Sequence, residues 1–157
     1  MAKPVKAGDK APAFRLETDD GKISSAALAG IPYILYFYPK DDTSGCTSEA
    51  IAFSKNAAKF AAIGVEIIGI SKDSVQSHEK FRAKHELKIK LASDPDKETA
   101  MDYGVWGEKK LYGRTYMGVE RATFLVDGEG VIRQVWRKVR VPGHAEAVLE
   151  AARSLQK

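Results

Sequence analysis

PYILYFYP, the stretch Pro32–Pro39, is a near-continuous run of β-branched and aromatic residues without a charge. A strand with one wet face alternates polar and apolar side chains. A run that is apolar at nearly every position instead reads as a central strand buried on both faces. Beyond it the composition changes abruptly to the turn-rich Asp41–Cys46 segment, DDTSGC, whose small polar residues are good helix N-caps. A strand that must be covered from both sides and then hands over to a helix points to an α/β arrangement.

Working outward, AFRLET at Ala13–Thr18 alternates like a half-buried strand and closes at Asp19-Asp20-Gly21. A short strand at Gly21–Ser24 and a helical turn at Ser25–Leu28 follow. After the central strand, a helix is predicted from about Cys46 to Ala62, with Ala50, Ile51, Phe53, Ala57 and Phe60 near helical spacing and Gly64 as its stop. VEIIGIS, Val65–Ser71, reads as a second buried strand. Asp73 or Ser74 is the expected cap of a helix through Phe81 to about His85. LASD (Leu91–Asp94) is a shorter strand, and a brief helix over Glu98–Tyr103 ends at Gly104. RATFLVDGEGVIRQVWRK then gives a hairpin joined at Asp127–Gly130. An amphipathic helix at His144–Leu155 closes the chain, with Ala147, Val148, Ala151 and Leu155 expected inward. No repeat or linker interrupts residues 1–157, so one domain is expected. This order suggests a mixed central β-sheet flanked by helices, the thioredoxin-like class.

The 157 residues carry 25 Lys and Arg against 21 Asp and Glu, a net charge of +4. The basic residues are interleaved with acids, which argues against a nucleic-acid partner. Even the densest stretch, Arg133 to Arg140 around Trp136, reads as a solvated strand and loop. The N-terminal MAKPVKAGDKAPAF lacks the apolar core of a secretory signal, and the longest apolar run, Ile31–Tyr38, is too short to span a bilayer. A soluble cytoplasmic protein is expected. The single cysteine agrees, since a reducing compartment keeps it a thiol.

That cysteine, Cys46, falls where the buried strand gives way to a helix. In open α/β sheets, ligands bind beyond the carboxyl ends of the strands. In a first helical turn it also meets unpaired backbone N–H groups and the positive end of the helix dipole, both favouring the reactive thiolate. A structural cysteine packs as a small hydrophobe among apolar neighbours. Asp41, Asp42, Thr43, Ser44, Gly45, Thr47 and Ser48 are a polar surrounding instead. His78, His85 and His144 offer no zinc-ligand spacing and are expected at the surface. Trp106 and Trp136 read as packing residues, with Trp106 in reach of the site.

YFYPKDDTSGCTSEA resembles the active-site segment of the peroxiredoxins, whose signature Pro-x-x-x-Thr/Ser-x-x-Cys is met by Pro39, Thr43 and Cys46. It is most similar to the Q-type subfamily, the bacterioferritin comigratory proteins, which read YPKDDTPGCTxE. GDKAPAFRLETDDGK, GISKDSVQSHEKF and KKLYGRTYMGVERATFLVDGEG look like Q-type sequence in the same order, so the resemblance spans essentially the whole chain. It implies a thiol-dependent peroxidase of hydrogen peroxide and organic hydroperoxides, with a thioredoxin fold and no metal or other cofactor.

By this resemblance Cys46 attacks a peroxide oxygen and becomes a sulfenic acid. Thr43 would accept a hydrogen bond from the peroxide and donate one towards the thiolate. Pro39 would shield the sulfur, and the backbone N–H groups of Gly45 and Cys46 would hold the peroxide oxygens. Arg121 corresponds to the family's active-site arginine, stabilising the thiolate and polarising the peroxide. Glu49 matches a glutamate that orients it, although a plain helix-start acid reads equally well.

Two positions depart from the pattern. Ser44 replaces a proline, and the second, resolving cysteine is missing: Ile51 and Arg82 stand where Q-type members place it. The resemblance therefore implies a one-cysteine cycle, with the sulfenic acid reduced by an outside thiol such as thioredoxin, glutaredoxin or glutathione. A disulfide between two chains at Cys46 is a weaker alternative, and a monomer is expected. The other class of function is a redox sensor or thiol-transfer protein, in which Cys46 is oxidised without sustained turnover.

Overall fold

The computed structural model describes residues 5–155; the first four residues of the N-terminal stretch read above, and the last two of the chain, lie outside them. The Pro32–Pro39 run forms strand β3 over Tyr33–Phe37, every residue of it buried. Its side chains alternate between two core layers. Leu35 and Phe37 point into one with Phe14, Ile68, Ile70 and Phe124. Ile34 and Tyr36 point into the other with Phe53, Phe60, Phe81, Leu125 and Val148. An unbroken apolar sequence is what two dry faces at period two require.

β3 pairs in parallel with β4 (Glu66–Ser71), and β4 with β5 (Lys90–Ser93). β5 meets β1 (Arg15–Thr18), which turns back into β2 (Gly21–Ser24), both pairings antiparallel. On the other side of β3 lies antiparallel β8 (Ala122–Val126) and then β9 (Ile132–Trp136). The result is a seven-stranded mixed sheet in the order β2-β1-β5-β4-β3-β8-β9.

Helices α1 (Ser44–Lys55), α2 (Ala57–Ala62), α3 (Val75–His85) and α5 (His144–Ser154) put Phe53, Phe60, Phe81 and Val148 into the Tyr36 layer. The short α4 (Glu98–Asp102) covers the opposite face through Ala100. Ser74 caps α3, its hydroxyl accepting the Ser77 N–H at 3.1 Å. Among the described residues, no helix is long and apolar enough to cross a membrane.

Three local expectations are corrected. The single helix over Cys46–Ala62 begins earlier, at Ser44, and breaks at Asn56, which is buried. The Asn56 amide donates to the Ala52 carbonyl and to Glu146, the side-chain competition with the backbone that disfavours Asn inside helices. In α5 the inward residues are Ala145, Val148, Leu149 and Ala152; Ala147 is exposed, and Ala151 and Leu155 only edge the core. A separate hairpin, β6 (Trp106–Leu111) with β7 (Arg114–Val119), occupies a stretch that gave no strand signal. It turns through Tyr112-Gly113, both at positive φ, without the Asn-Gly pair that advertises such a turn.

Candidate active site

β3 ends at Phe37, and the chain then loops from Tyr38 to Thr43 before α1 starts at Ser44. Asp42 makes the turn with φ at 60°, a left-handed conformation that Asp tolerates better than most residues. Thr43 is extended at the N-cap, and Cys46 is the third residue of the helix. Among the described residues, the N–H groups of Gly45 and Cys46 meet no acceptor, as first-turn donors do not.

Arg121 reaches this helix end through the sheet. Phe37 pairs with Ala122, so the residue before β8 lies opposite the start of the loop. One guanidinium nitrogen, Nη2, donates to Cys46 Sγ at 3.3 Å, and the other, Nη1, to Glu49 Oε1 at 2.6 Å. Gly45 makes room for this: a Cβ there would lie 3.2 Å from Arg121 Nη2. Cys46 is 1% exposed, its sulfur sealed within the Tyr36 layer.

The electrostatics are those of a charged group held against a dry wall. Burial pushes the Glu49 carboxyl up to about 7, with the Arg121 charge and hydrogen bond pulling the other way. Burial opposes the charge on Arg121, but the facing Glu49 and Cys46 outweigh it and raise its pKa. Glu49 Oε2 and the Tyr36 hydroxyl are buried with no hydrogen-bond partner among the described residues. Burial, then the charges of Glu49 and Cys46, drives the Tyr36 pKa upward.

Of the residues singled out by sequence, the fold brings Cys46, Gly45, Glu49 and Arg121 into contact or near contact. Pro39 sits half-buried in the loop. Thr43 is exposed, and its hydroxyl donates to the Lys40 carbonyl at 2.8 Å rather than towards the sulfur.

Two histidines expected at the surface are buried. His144 accompanies Thr123, with Nε2 2.8 Å from Oγ1, between the edges of Phe53 and Trp136. Burial, and then the Arg121 charge, lowers its pKa to about 4. His78 is fully buried against Asp41. Its spacing from Phe81, three residues on along one helix, was the available signal for an inward position. His85 is partly exposed and bound to Asp42.

The description of the AhpC/TSA family matches residues 7–135. A putative peroxiredoxin bcp of Coxiella burnetii is 48% identical over 146 residues, 92% of this chain and 97% of the relative. Peroxiredoxin Bcp of Bacillus subtilis is 41% identical over 152 residues, 96% and 97% of the two chains. Among solved structures, the Xanthomonas campestris bacterioferritin comigratory protein, studied for its alkyl peroxide reduction activity, superposes with a TM-score of 0.88 at 39% identity over 100% of both chains. A cysteine-to-serine mutant of Xylella fastidiosa PrxQ reaches a TM-score of 0.92 at 32% identity, covering 99% of this chain and 100% of that one. With sequence, sheet order and relatives in agreement, the chain belongs to the AhpC/TSA family, within its Bcp or Q-type peroxiredoxins.

Proposed function

We propose that Cys46 is the peroxide-attacking nucleophile of this peroxiredoxin, and that Arg121, held by Glu49, is the group that activates it. Membership of the Bcp peroxiredoxins makes the chain a thiol peroxidase. The observation that supports the assignment is the 3.3 Å contact of Arg121 Nη2 with Sγ at the first turn of α1.

The thiolate attacks one oxygen of a hydroperoxide. The S–O bond forms as the O–O bond breaks, and the departing oxygen takes a proton and leaves as water or alcohol, so that sulfur is oxidised to sulfenic acid and the peroxide reduced. Charge moves across the O–O bond during this step. The Arg121 guanidinium and the free N–H groups of Gly45 and Cys46 are fixed donors facing that charge. Pro39 is assigned to shielding. Thr43 is assigned to the peroxide through its oxygen lone pairs, its proton being engaged by Lys40.

The chain has no second cysteine, so an external thiol completes the cycle. One thiol condenses with the sulfenic acid, releasing water and leaving a mixed disulfide; a second displaces it and returns Cys46 to the thiol. Thioredoxin, glutaredoxin and glutathione all fit that chemistry. We further assign the working unit as a cytoplasmic monomer of one domain.

Steady-state peroxide consumption with a dithiol present tests the reading. Cys46→Ser should abolish it, and Arg121→Ala should lower it by roughly 100-fold or more, the scale of losing one donor to a developing charge. Turnover retained by the Cys46→Ser protein overturns the assignment. Consumption that stops at one equivalent per chain favours the redox-sensor reading.

A further inference from the structure

The buried polar cluster beside the Cys46 loop is unused by the chemistry above. His78, in the middle of α3, has no exposed surface. Its Nδ1 lies 2.7 Å from Asp41 Oδ2, and its Nε2 lies 3.0 Å from the Ala92 carbonyl oxygen. A carbonyl oxygen has no proton to give, so Nε2 must carry one. The other hydroxyls at the carboxylate already donate to it, Tyr38 to Oδ1 at 2.6 Å and Ser77 to Oδ2 at 2.7 Å. Nδ1 therefore faces a carboxylate whose two oxygens both already accept from hydroxyls, an arrangement that favours a proton on Nδ1 and so an imidazolium against its carboxylate, in a dry pair whose ring nitrogens and both carboxylate oxygens are partnered. Full partnering is the condition under which a buried ion pair holds its geometry.

Asp41 belongs to the loop that carries Pro39, Thr43, Gly45 and Cys46. We infer that His78 is a positioning residue for the peroxidase reaction: as a buried imidazolium it anchors Asp41, and Asp41 sets the path of the loop into α1. This rests on the assignment of Cys46 as nucleophile. The Asp41 N–H is held as well, by Asp73 Oδ2 at 2.8 Å. The next residue, Asp42, is in the left-handed region, which Asp tolerates at a modest cost that its surroundings must cover. Asp42 also contacts α3, through Lys84 at 2.7 Å and His85 at 3.0 Å, but that pair is exposed and screened by water. The buried Asp41 anchor is the one that can enforce the turn. Tyr38 and Ser77 pack around His78 or its partner, and no acid other than Asp41 is bonded to the ring among the described residues.

The test has a spectroscopic arm and a kinetic arm. Nitrogen NMR of the His78 ring in the unmodified protein at neutral pH should show both nitrogens protonated; one bare nitrogen overturns the anchor. Stopped-flow oxidation of Cys46 by hydrogen peroxide is then compared in His78→Phe, His78→Asn and Asp41→Asn proteins, each checked by circular dichroism. His78→Phe and Asp41→Asn should slow oxidation by about 100-fold, as a misplacement near 1 Å does. His78→Asn, which keeps a donor towards Asp41, should recover most of the rate. A folded His78→Phe protein with the parental rate overturns the inference, as does His78→Asn performing no better than His78→Phe. If His78→Phe does not fold, the contrast between His78→Asn and Asp41→Asn decides in its place. Peroxide consumption by Cys46→Ser would overturn the nucleophile assignment instead, and leaves the ring-nitrogen result as the judge of the anchor.

Discussion

The side chains around the sulfur are in tension with one another, and the tension is measurable. Glu49 is 1% exposed and its carboxyl is raised from the ordinary 4.5 to about 7, mainly by burial. A carboxyl whose folded value exceeds its unfolded value keeps its proton longer in the native state, so its contribution is full below about 4.5 and is lost as pH rises through about 7. Integrated over that window the loss is about 3 kcal/mol. Glu49→Gln should therefore flatten the decline in stability between pH 5 and pH 8, read by urea unfolding, while slowing peroxide reduction because Arg121 loses a charged partner. An unchanged pH dependence would refute the assignment of that titration to Glu49. Gly45→Ala separates activity from stability in another way. The added methyl would press on Arg121 at 3.2 Å and slow Cys46 oxidation. Helix propensity meanwhile favours Ala by up to about 1 kcal/mol, so thermal stability should not fall. Cys46 was legible from its polar neighbours and its place after a buried strand. Arg121 was not, because its contact with the sulfur spans 75 residues and only the motif marked it. The burial of His144 and the partners of both His78 and His144 were hidden for a related reason: Asp41, Ala92 and Thr123 come from other elements.

Between elements, β4 passes β3 tightly behind the site. Gly69 pairs with Tyr36 in the parallel register, and a Cβ at Gly69 would stand 2.6 Å from Tyr36 Cζ. Tyr36 has little room to yield, since its ring stacks on Phe53 at 4.7 Å and on Tyr38 at 5.5 Å. Gly69→Ala should thus destabilise by about 1–3 kcal/mol, the range for overpacked cores, and lower the urea midpoint without changing the slope. A neutral substitution would mean that the ring can move, contrary to its stacking. The strands and helices that were legible are those with a strong period: β3, β4, β8 and α3 all fall within a few residues of their predicted spans. The β6–β7 hairpin was invisible because most of β7 is exposed and its sequence, RTYMGV, has no dry face to impose alternation. The break at Asn56 was missed because apolar spacing continues through it, from Phe53 to Phe60, while the Asn side chain redirects the backbone.

For the whole molecule, the fold class followed from the sequence of strand and helix signals, but the placement of β1 beside β5 did not, since that pairing joins residues 17–18 to residues 92–93 with no local cue. The arrangement leaves a lone cysteine that is 1% exposed at the junction of β3, α1 and β8. With 1% of Cys46 exposed, a reactant needs the loop to move aside, and a bulky reducing thiol needs a larger opening than a peroxide. A resolving cysteine in the same chain acts at an effective concentration in the millimolar range. Ile51 and Arg82 supply none, and Arg82 is committed elsewhere, its guanidinium on Asp19 and on the Leu87 carbonyl. The sulfenic acid at Cys46 is then divided between two competing second-order reactions. External thiol condenses with it and returns the enzyme; a second peroxide oxidises it to the sulfinic acid and removes the enzyme from the cycle. The fraction lost per turnover should rise in proportion to the ratio of peroxide to thiol, and adding thiol at fixed peroxide should protect activity in the same proportion. Intact-protein mass spectrometry after a fixed number of turnovers measures the sulfinic product directly. Inactivation that ignored the thiol concentration would show that something within the chain resolves the sulfenic acid first, and the one-cysteine cycle would have to be abandoned.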